Sequence, residues 1–378
     1  MIIAKAEVFQ YTLPLANPIP LRGRTLDTRS GLLLKIHAPD GHSAWGEAAP
    51  LPGFSRENLA ACRKKLIEVV QVLLAPGANL DDEGMRKLPV FGGRTAHSAT
   101  YFAVESAWHL LDAAIRGIPP WRAKAPGRDA TLQLNALLAG DESQVYARAQ
   151  EAAVRGYRAV KLKVGRESMT DDIRIVRTVR EIIGAEIDLR LDANQAWSLE
   201  DAVLFGRSIR ESNAAYIEEP CASLGDLPAF QRATGIPYAI DESIFAIHDM
   251  LANRAPAPLG ERAIAQIVQG AAALVWKPTL VHTPTLGGLL FRDIAQGQSS
   301  RIVVSAAFES GVGIAALANY AAMFAAPETP VGLDTYAWIA PDVLKERLPM
   351  DSGTVDLHAI NAAARSVDID RLERVWPL

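Results

Sequence analysis

Five short stretches of this 378-residue chain carry side chains that could share one chemistry. They are Lys161-Leu162-Lys163, Asp192-Ala193-Asn194, Glu218-Glu219-Pro220, Asp241-Glu242-Ser243 and Lys277-Pro278. Each closes a short run of β-forming residues. Asp192, Glu218 and Asp241 offer three carboxylates and no nitrogen or sulfur, a donor set that suits a hard cation such as Mg²⁺, or Mn²⁺ in its place. The seven histidines form no H-x-H or H-E-x-x-H pair, so zinc is not expected. Cys62 and Cys221 have no nucleophile context, and Ser305 stands in no G-x-S-x-G elbow.

Taken singly, each motif is commonplace. A K-x-K is usually a solvated strand face, and a D-E-S is usually a helix cap with a first-turn acid. Their succession is not commonplace. From Lys163 through Asp192, Glu218, Asp241 and Lys277 to Ser305 the intervals are 29, 26, 23, 36 and 28 residues. Lys161 and Lys163 share one strand face, while Val160, Leu162 and Val164 take the other. If the apolar face packs on helices, the lysines point inward and need anionic company. A lysine close to a divalent cation and a second lysine has its neutral form favoured, so it can accept a proton near neutral pH. The chemistry this suits is removal of a proton next to a carboxylate, the enediolate charge being stabilised by metal.

Positioning these groups takes a barrel. Runs at 131–138, 159–164, 187–191, 215–217, 238–240, 273–276, 302–304 and a weak one at 331–333 alternate with amphipathic helical stretches, the first over 143–156. Units of ~26 residues are a little shorter than the ~31 of a typical (β/α)₈ barrel, whose chemistry sits at the strand C-termini. A doubly wound sheet would want a G-x-G-x-x-G turn, and none occurs. Ahead of the barrel, strands near 3–11, 31–37 and 44–47 and helices near 55–74 and 96–116 make an α+β module. Residues 17–24 and 50–55 read as irregular loops, 119–128 as a linker, and 336–378 as a tail that returns over the first module.

Lys and Arg number 39 against 43 Asp and Glu, a net charge of −4, so no nucleic-acid partner is expected. No apolar run reaches the ~18 residues of a membrane span. Two cysteines make no disulfide framework, and a cytoplasmic location is expected.

In this order the motifs resemble the enolase superfamily, in its muconate-lactonizing subgroup, over the whole chain. Further stretches are most similar to its o-succinylbenzoate synthase family: Pro50-Leu51-Pro52-Gly53-Phe54-Ser55, Arg190-Leu191-Asp192-Ala193-Asn194 with Ala196-Trp197, Lys277-Pro278-Thr279-Leu280, Phe308-Glu309-Ser310 and Gly332-Leu333-Asp334-Thr335. The resemblance implies a (β/α)₇β modified TIM barrel over 126–335, an α+β capping domain over 1–125, and a C-terminal segment, 336–378, packing back on the cap. It implies that Asp192, Glu218 and Asp241 hold Mg²⁺, that Lys163 is the acid/base with Lys161 beside it, and that Lys277 faces Lys163. A small-molecule carboxylate substrate would meet Arg190, Asn194, Ser305, Glu309 and Phe54. The loops 18–24 and 50–55 would close over the barrel mouth, with Arg22 and Arg24 on a distal carboxylate.

The implied reaction is loss of water from 2-succinyl-6-hydroxy-2,4-cyclohexadiene-1-carboxylate, giving 2-succinylbenzoate for menaquinone biosynthesis. N-acylamino acid racemase, dipeptide epimerase and muconate-type cycloisomerase activities are alternatives on the same scaffold. A glycosidase would use barrel-end carboxylates without metal or lysines, and a binding or structural barrel would need none of these groups. Two departures from the family stand out. Ser305-Ala306-Ala307 replaces a serine run and leaves backbone N–H groups as donors, and the stretch 251–269 lengthens one interval. Asp334-Thr335-Tyr336 lacks the second acid of the Asp-x-Asp that dipeptide epimerases tend to carry.

Overall fold

Seven parallel strands carry the motifs. In the computed structural model, which describes residues 1–21, 24–78, 88, 97–251, 259–281, 284–295 and 301–377, they are β5 (Asn135–Leu138), β6 (Ala159–Lys163), β7 (Asp188–Asp192), β8 (Tyr216–Glu218), β9 (Tyr238–Ile240), β10 (Ala273–Trp276) and β11 (Arg301–Val304). They pair in chain order into one curled sheet. The eighth position is not a strand. Val331 and Gly332 bridge to Leu134 and Ser305, which closes the ring between β5 and β11. The sheet is a (β/α)₇β barrel.

Alternation along each strand separates two environments. Val160, Leu162, Leu189 and Leu191 are fully buried under the helices. Tyr216, Ala239, Ala273, Val275 and Val303 fill the interior as a cluster of their own. Three of the helices between strands begin on side-chain caps: Asp141, with Gln144 in a capping box, then Ser168 and Ser198. Gly235, at φ +76°, ends the helix Leu227–Thr234 in the left-handed conformation that other residues disfavour.

The run at 131–138 is divided rather than continuous. Thr131–Gln133 (β4) pairs antiparallel with Thr354–Asp356 (β12), and only the following residues enter the barrel. The lengthened interval holds two helices, Ser243–Leu251 and Glu261–Gly270, while residues 252–258 lie outside the described ones.

In the capping sheet, β1 (Lys5–Leu21), β2 (Arg24–His37) and β3 (Ser43–Ala48) are joined by the C-terminal Glu373–Trp376 (β13) in the order β13-β1-β2-β3. Helices Leu59–Leu73 and Ser98–Ile115 cover one face through Leu66, Val70, Tyr101 and Leu111. A Cβ at Gly46 would run into the Ala103 carbonyl, so β3 and the second helix meet as closely as glycine permits. The irregular loop read at 17–24 is instead mostly a long hairpin. Pro20 pairs with Thr25 and Leu21 with Arg24. The prolines that argued against a strand lie by a register break between Pro14 and Ile19, where lost N–H donors are tolerated.

Candidate active site

The strand register brings the motifs to one end of the barrel. Lys161 stands opposite Arg190, Lys163 opposite Asp192, and Asp192 opposite Glu218. Asp192, Glu218 and Asp241 are all buried, and each has an oxygen within 4.8 Å of the others. Lys161 donates to Glu218 at 2.6 Å and lies 2.8 Å from Asp192. Lys163 donates to Asp192 at 2.5 Å and to Asn194 at 2.8 Å. Lys277 pairs with Asp241. The lysines of β6 and the one after β10 thus approach a single carboxylate cluster from two sides.

Charge and burial compete at every member. Burial raises the Asp192 carboxyl, but Lys161 and Lys163 bring it well below the usual range. Asp241 is lowered likewise: burial opposes, and Lys277 and Lys161 prevail. Glu218 goes the other way, held well above its usual value by burial and by the neighbouring Asp192 charge. Burial would lower Lys161 and Lys277, yet the facing carboxylates leave both above an ordinary amine. At Lys277 a neutral amine presumes a divalent charge competing for those carboxylates, because the protein's own charges act in the opposite sense. Three crowded buried carboxylates with an oxygen-only donor set fit a hard divalent cation.

Around this centre the backbone is strained. Asn194, Gln195, Glu219 and Phe308 have φ of +45°, +63°, +45° and +62°, and all four lie just past strand C-termini. Glu219 is the tie between the loops. Fully buried, it accepts from the N–H groups of Asp241 and Ser243 at 2.9 and 2.8 Å, from the Ser243 hydroxyl at 2.7 Å and from Gln195 at 3.1 Å. Sequence reading passed over it for its neighbour Glu218. The signal is nonetheless in the sequence, because successive strand residues face opposite ways and a second buried acid beside Glu218 needs its own partners.

The other residues named from sequence are dispersed. Asn194 is exposed and donates to Glu242 at 2.5 Å. Phe54 lines a cavity of about 600 Å³ with Arg56, Gln195, Glu242, Ser243 and Phe245, which brings the 50–55 loop to the barrel mouth. Arg190 is fully buried two residues below Asp192, donating to Asn135 at 3.1 Å and to the Pro330 carbonyl at 2.8 Å. Ser305 is buried and donates to the Gly332 carbonyl at 3.3 Å. Glu309 is fully buried and faces Thr279. The side chains of Arg22 and Arg24 lie outside the described residues. The backbone donors expected at Ala306 and Ala307 are taken, by the Gly332 carbonyl at 2.8 Å and by Glu309 at 2.6 Å.

Residues 144–255 match the family described as Enolase C-terminal domain-like, and residues 3–93 the family described as MenC, N-terminal domain. The o-succinylbenzoate synthase of Edwardsiella ictaluri (strain 93-146) is 32% identical over 349 residues, covering 90% of this chain and 93% of that one. The chain belongs to the o-succinylbenzoate synthase family of the enolase superfamily. Members of that family are carbon–oxygen lyases, and this chain is an enzyme of that type. In fold it is similar to the muconate lactonizing enzyme from Pseudomonas fluorescens complexed with muconolactone (TM-score 0.80, 22% identity, 98% of each chain). It is also similar to the dipeptide epimerase from Enterococcus faecalis V583 complexed with Mg and the dipeptide L-Leu-L-Tyr (TM-score 0.80, 20% identity, 94% of this chain and 97% of that one). Among the described residues no helix is long and apolar enough to cross a membrane.

Proposed function

We propose that this enzyme dehydrates 2-succinyl-6-hydroxy-2,4-cyclohexadiene-1-carboxylate to 2-succinylbenzoate. One observation carries the reading: Lys163 and Lys277 are paired with different carboxylates, Asp192 and Asp241, of one buried triad. A lysine able to carry a proton therefore stands at each of two different members of the cluster that would hold a cation and draw a substrate carboxylate.

Asp192, Glu218 and Asp241 would hold Mg²⁺, which would supply Lewis-acid stabilisation of the enediolate charge. Lys163 takes the proton from the ring carbon next to the carboxylate. Lys277 stabilises the enediolate from the other side. The ring carbon–oxygen bond then breaks, and protonated Lys163 returns its proton to the departing hydroxide, giving water. Lys161, held between Asp192 and Glu218, fixes both. Asn194 keeps Lys163 aimed at the reacting carbon. Aromatisation drives the step, so positioning and charge stabilisation are the main demands.

Asp334 supports this choice over dipeptide epimerisation. Buried, it accepts from Arg148 at 2.7 and 2.8 Å and from the Leu137 N–H at 2.8 Å. It is committed to the fold instead of facing a substrate amine. The free thiols of Cys62 and Cys221 fit a cytoplasmic location. The test is metal dependence: EDTA-treated protein should lose formation of 2-succinylbenzoate and regain it with Mg²⁺ or Mn²⁺. Full activity after EDTA, unchanged by added metal, would rule the reading out.

A further inference from the structure

Arg29 lies in β2 of the cap, 2% exposed, far in sequence from any of the motifs. Its guanidinium uses all five N–H donors on backbone carbonyls. Within the cap it meets Ala49, Pro50 at 2.7 Å and Ser30 at 3.2 Å. Across the module boundary it meets Phe308 at 3.0 Å and Ala307 at 3.4 Å, in the loop after β11. None of these partners is a carboxylate. A buried charge spent wholly on carbonyls fixes the backbone on both sides of it.

The gripped loop leads toward the catalytic centre. Glu309, 0% exposed, accepts from the Ala307 N–H at 2.6 Å with one oxygen and from the Thr279 hydroxyl at 2.6 Å with the other. Thr279 stands two residues past Lys277, in a turn where Leu280 and Val281 donate to the Lys277 carbonyl at 2.9 and 3.1 Å. Phe308 sits at φ +62°, a conformation an aromatic residue keeps only when its surroundings enforce it. Glu47 of β3 adds a second tie, accepting from the Ser310 N–H at 2.9 Å, its hydroxyl at 2.5 Å and the Gly313 N–H at 2.7 Å.

We propose that Arg29 is a positioning residue for Lys277, acting through the carbonyls of Ala307 and Phe308, then Glu309 and Thr279. The cap thereby sets the geometry of the lysine that faces Lys163. The kinetic part of the test rests on the proposed dehydration; the exchange part does not.

Thr279→Val removes only the hydroxyl and keeps the side-chain shape, Arg29→Met removes the fork, and Arg29→Lys keeps the charge without it. Hydrogen exchange at Leu280 and Val281 in Thr279→Val and Arg29→Met should quicken roughly tenfold, with β7 amides unchanged. In the dehydration assay kcat should fall roughly tenfold or more while KM changes little, because a displaced catalytic group costs turnover. Arg29→Lys should recover only part of the loss. If Arg29→Met does not fold, Thr279→Val decides. Wild-type exchange at Leu280 and Val281 overturns the proposal whatever the activity, and so does faster exchange with wild-type kcat. A wild-type enzyme that makes no 2-succinylbenzoate defeats the reading of the reaction alone, and the exchange result then stands by itself.

Discussion

Lys163 donates to Asp192 at 2.5 Å, so the residue assigned to proton transfer and a residue assigned to the metal are joined by one hydrogen bond. Asp192→Asn should therefore damage both functions together. Mg²⁺ binding by titration calorimetry should be lost, and kcat/KM should fall by more than the roughly hundredfold seen for outer-shell substitutions. Wild-type Mg²⁺ affinity in the Asp192→Asn variant would remove Asp192 from the metal site.

Lys163→Ala isolates the proton carrier. Turnover should drop by about 10²–10⁴, the range for loss of a general acid–base group. Circular dichroism and Mg²⁺ affinity should stay near wild type, since the three carboxylates remain. Near-normal turnover would reassign the base, and would also favour a barrel that binds without this chemistry.

Glu219 makes a different prediction, because it touches neither substrate nor metal in this account. Its buried carboxylate ties the loop bearing Asn194 to the loop bearing Asp241 through four hydrogen bonds. Glu219→Ala should weaken Mg²⁺ binding roughly 10–100-fold while Lys163 and Lys277 remain in the chain. Unchanged metal affinity would confine Glu219 to folding.

The two cysteines test the packing. Burial pushes the Cys221 thiol up to about 12, with help from Asp226 and Glu219. Burial also raises Cys62 far above an ordinary thiol, with Glu57 adding to it. A raised thiol pKa means almost no thiolate at pH 8, so the native protein should react negligibly with a disulfide reagent. Both thiols should appear in denaturant. Fast native labelling would mean that the helix Leu59–Leu73 or the segment around Cys221 opens readily.

Much of this site was legible in the residues, and the reason is the barrel. A parallel strand with one face under helices fixes which side chains point inward, so Lys161, Lys163 and Asp192 could be read from alternation alone. What alternation does not encode is who meets whom across modules. Arg29 and Glu47 reach the barrel from hundreds of residues away, and nothing in their local sequence marks them. The pairing of residues 19–21 with 24–26 is hidden for a local reason, since Pro18, Pro20 and Gly23 weigh against a strand, although Pro18 falls in a register break. Glu309 and Arg190 enter the substrate-contact set through the family resemblance alone; Glu309 bonds Thr279 and the Ala307 N–H, and Arg190 bonds Asn135 and the Pro330 carbonyl, all partners that local sequence does not mark.

The most direct measurement compares two reactions in one enzyme preparation. Conversion of 2-succinyl-6-hydroxy-2,4-cyclohexadiene-1-carboxylate to 2-succinylbenzoate is followed by ultraviolet absorbance, beside α-proton exchange of N-succinyl amino acids in D₂O. The account predicts metal-dependent dehydration with a kcat/KM above that for exchange. Exchange exceeding dehydration by several decades would contradict it, and would assign this lysine pair to racemisation.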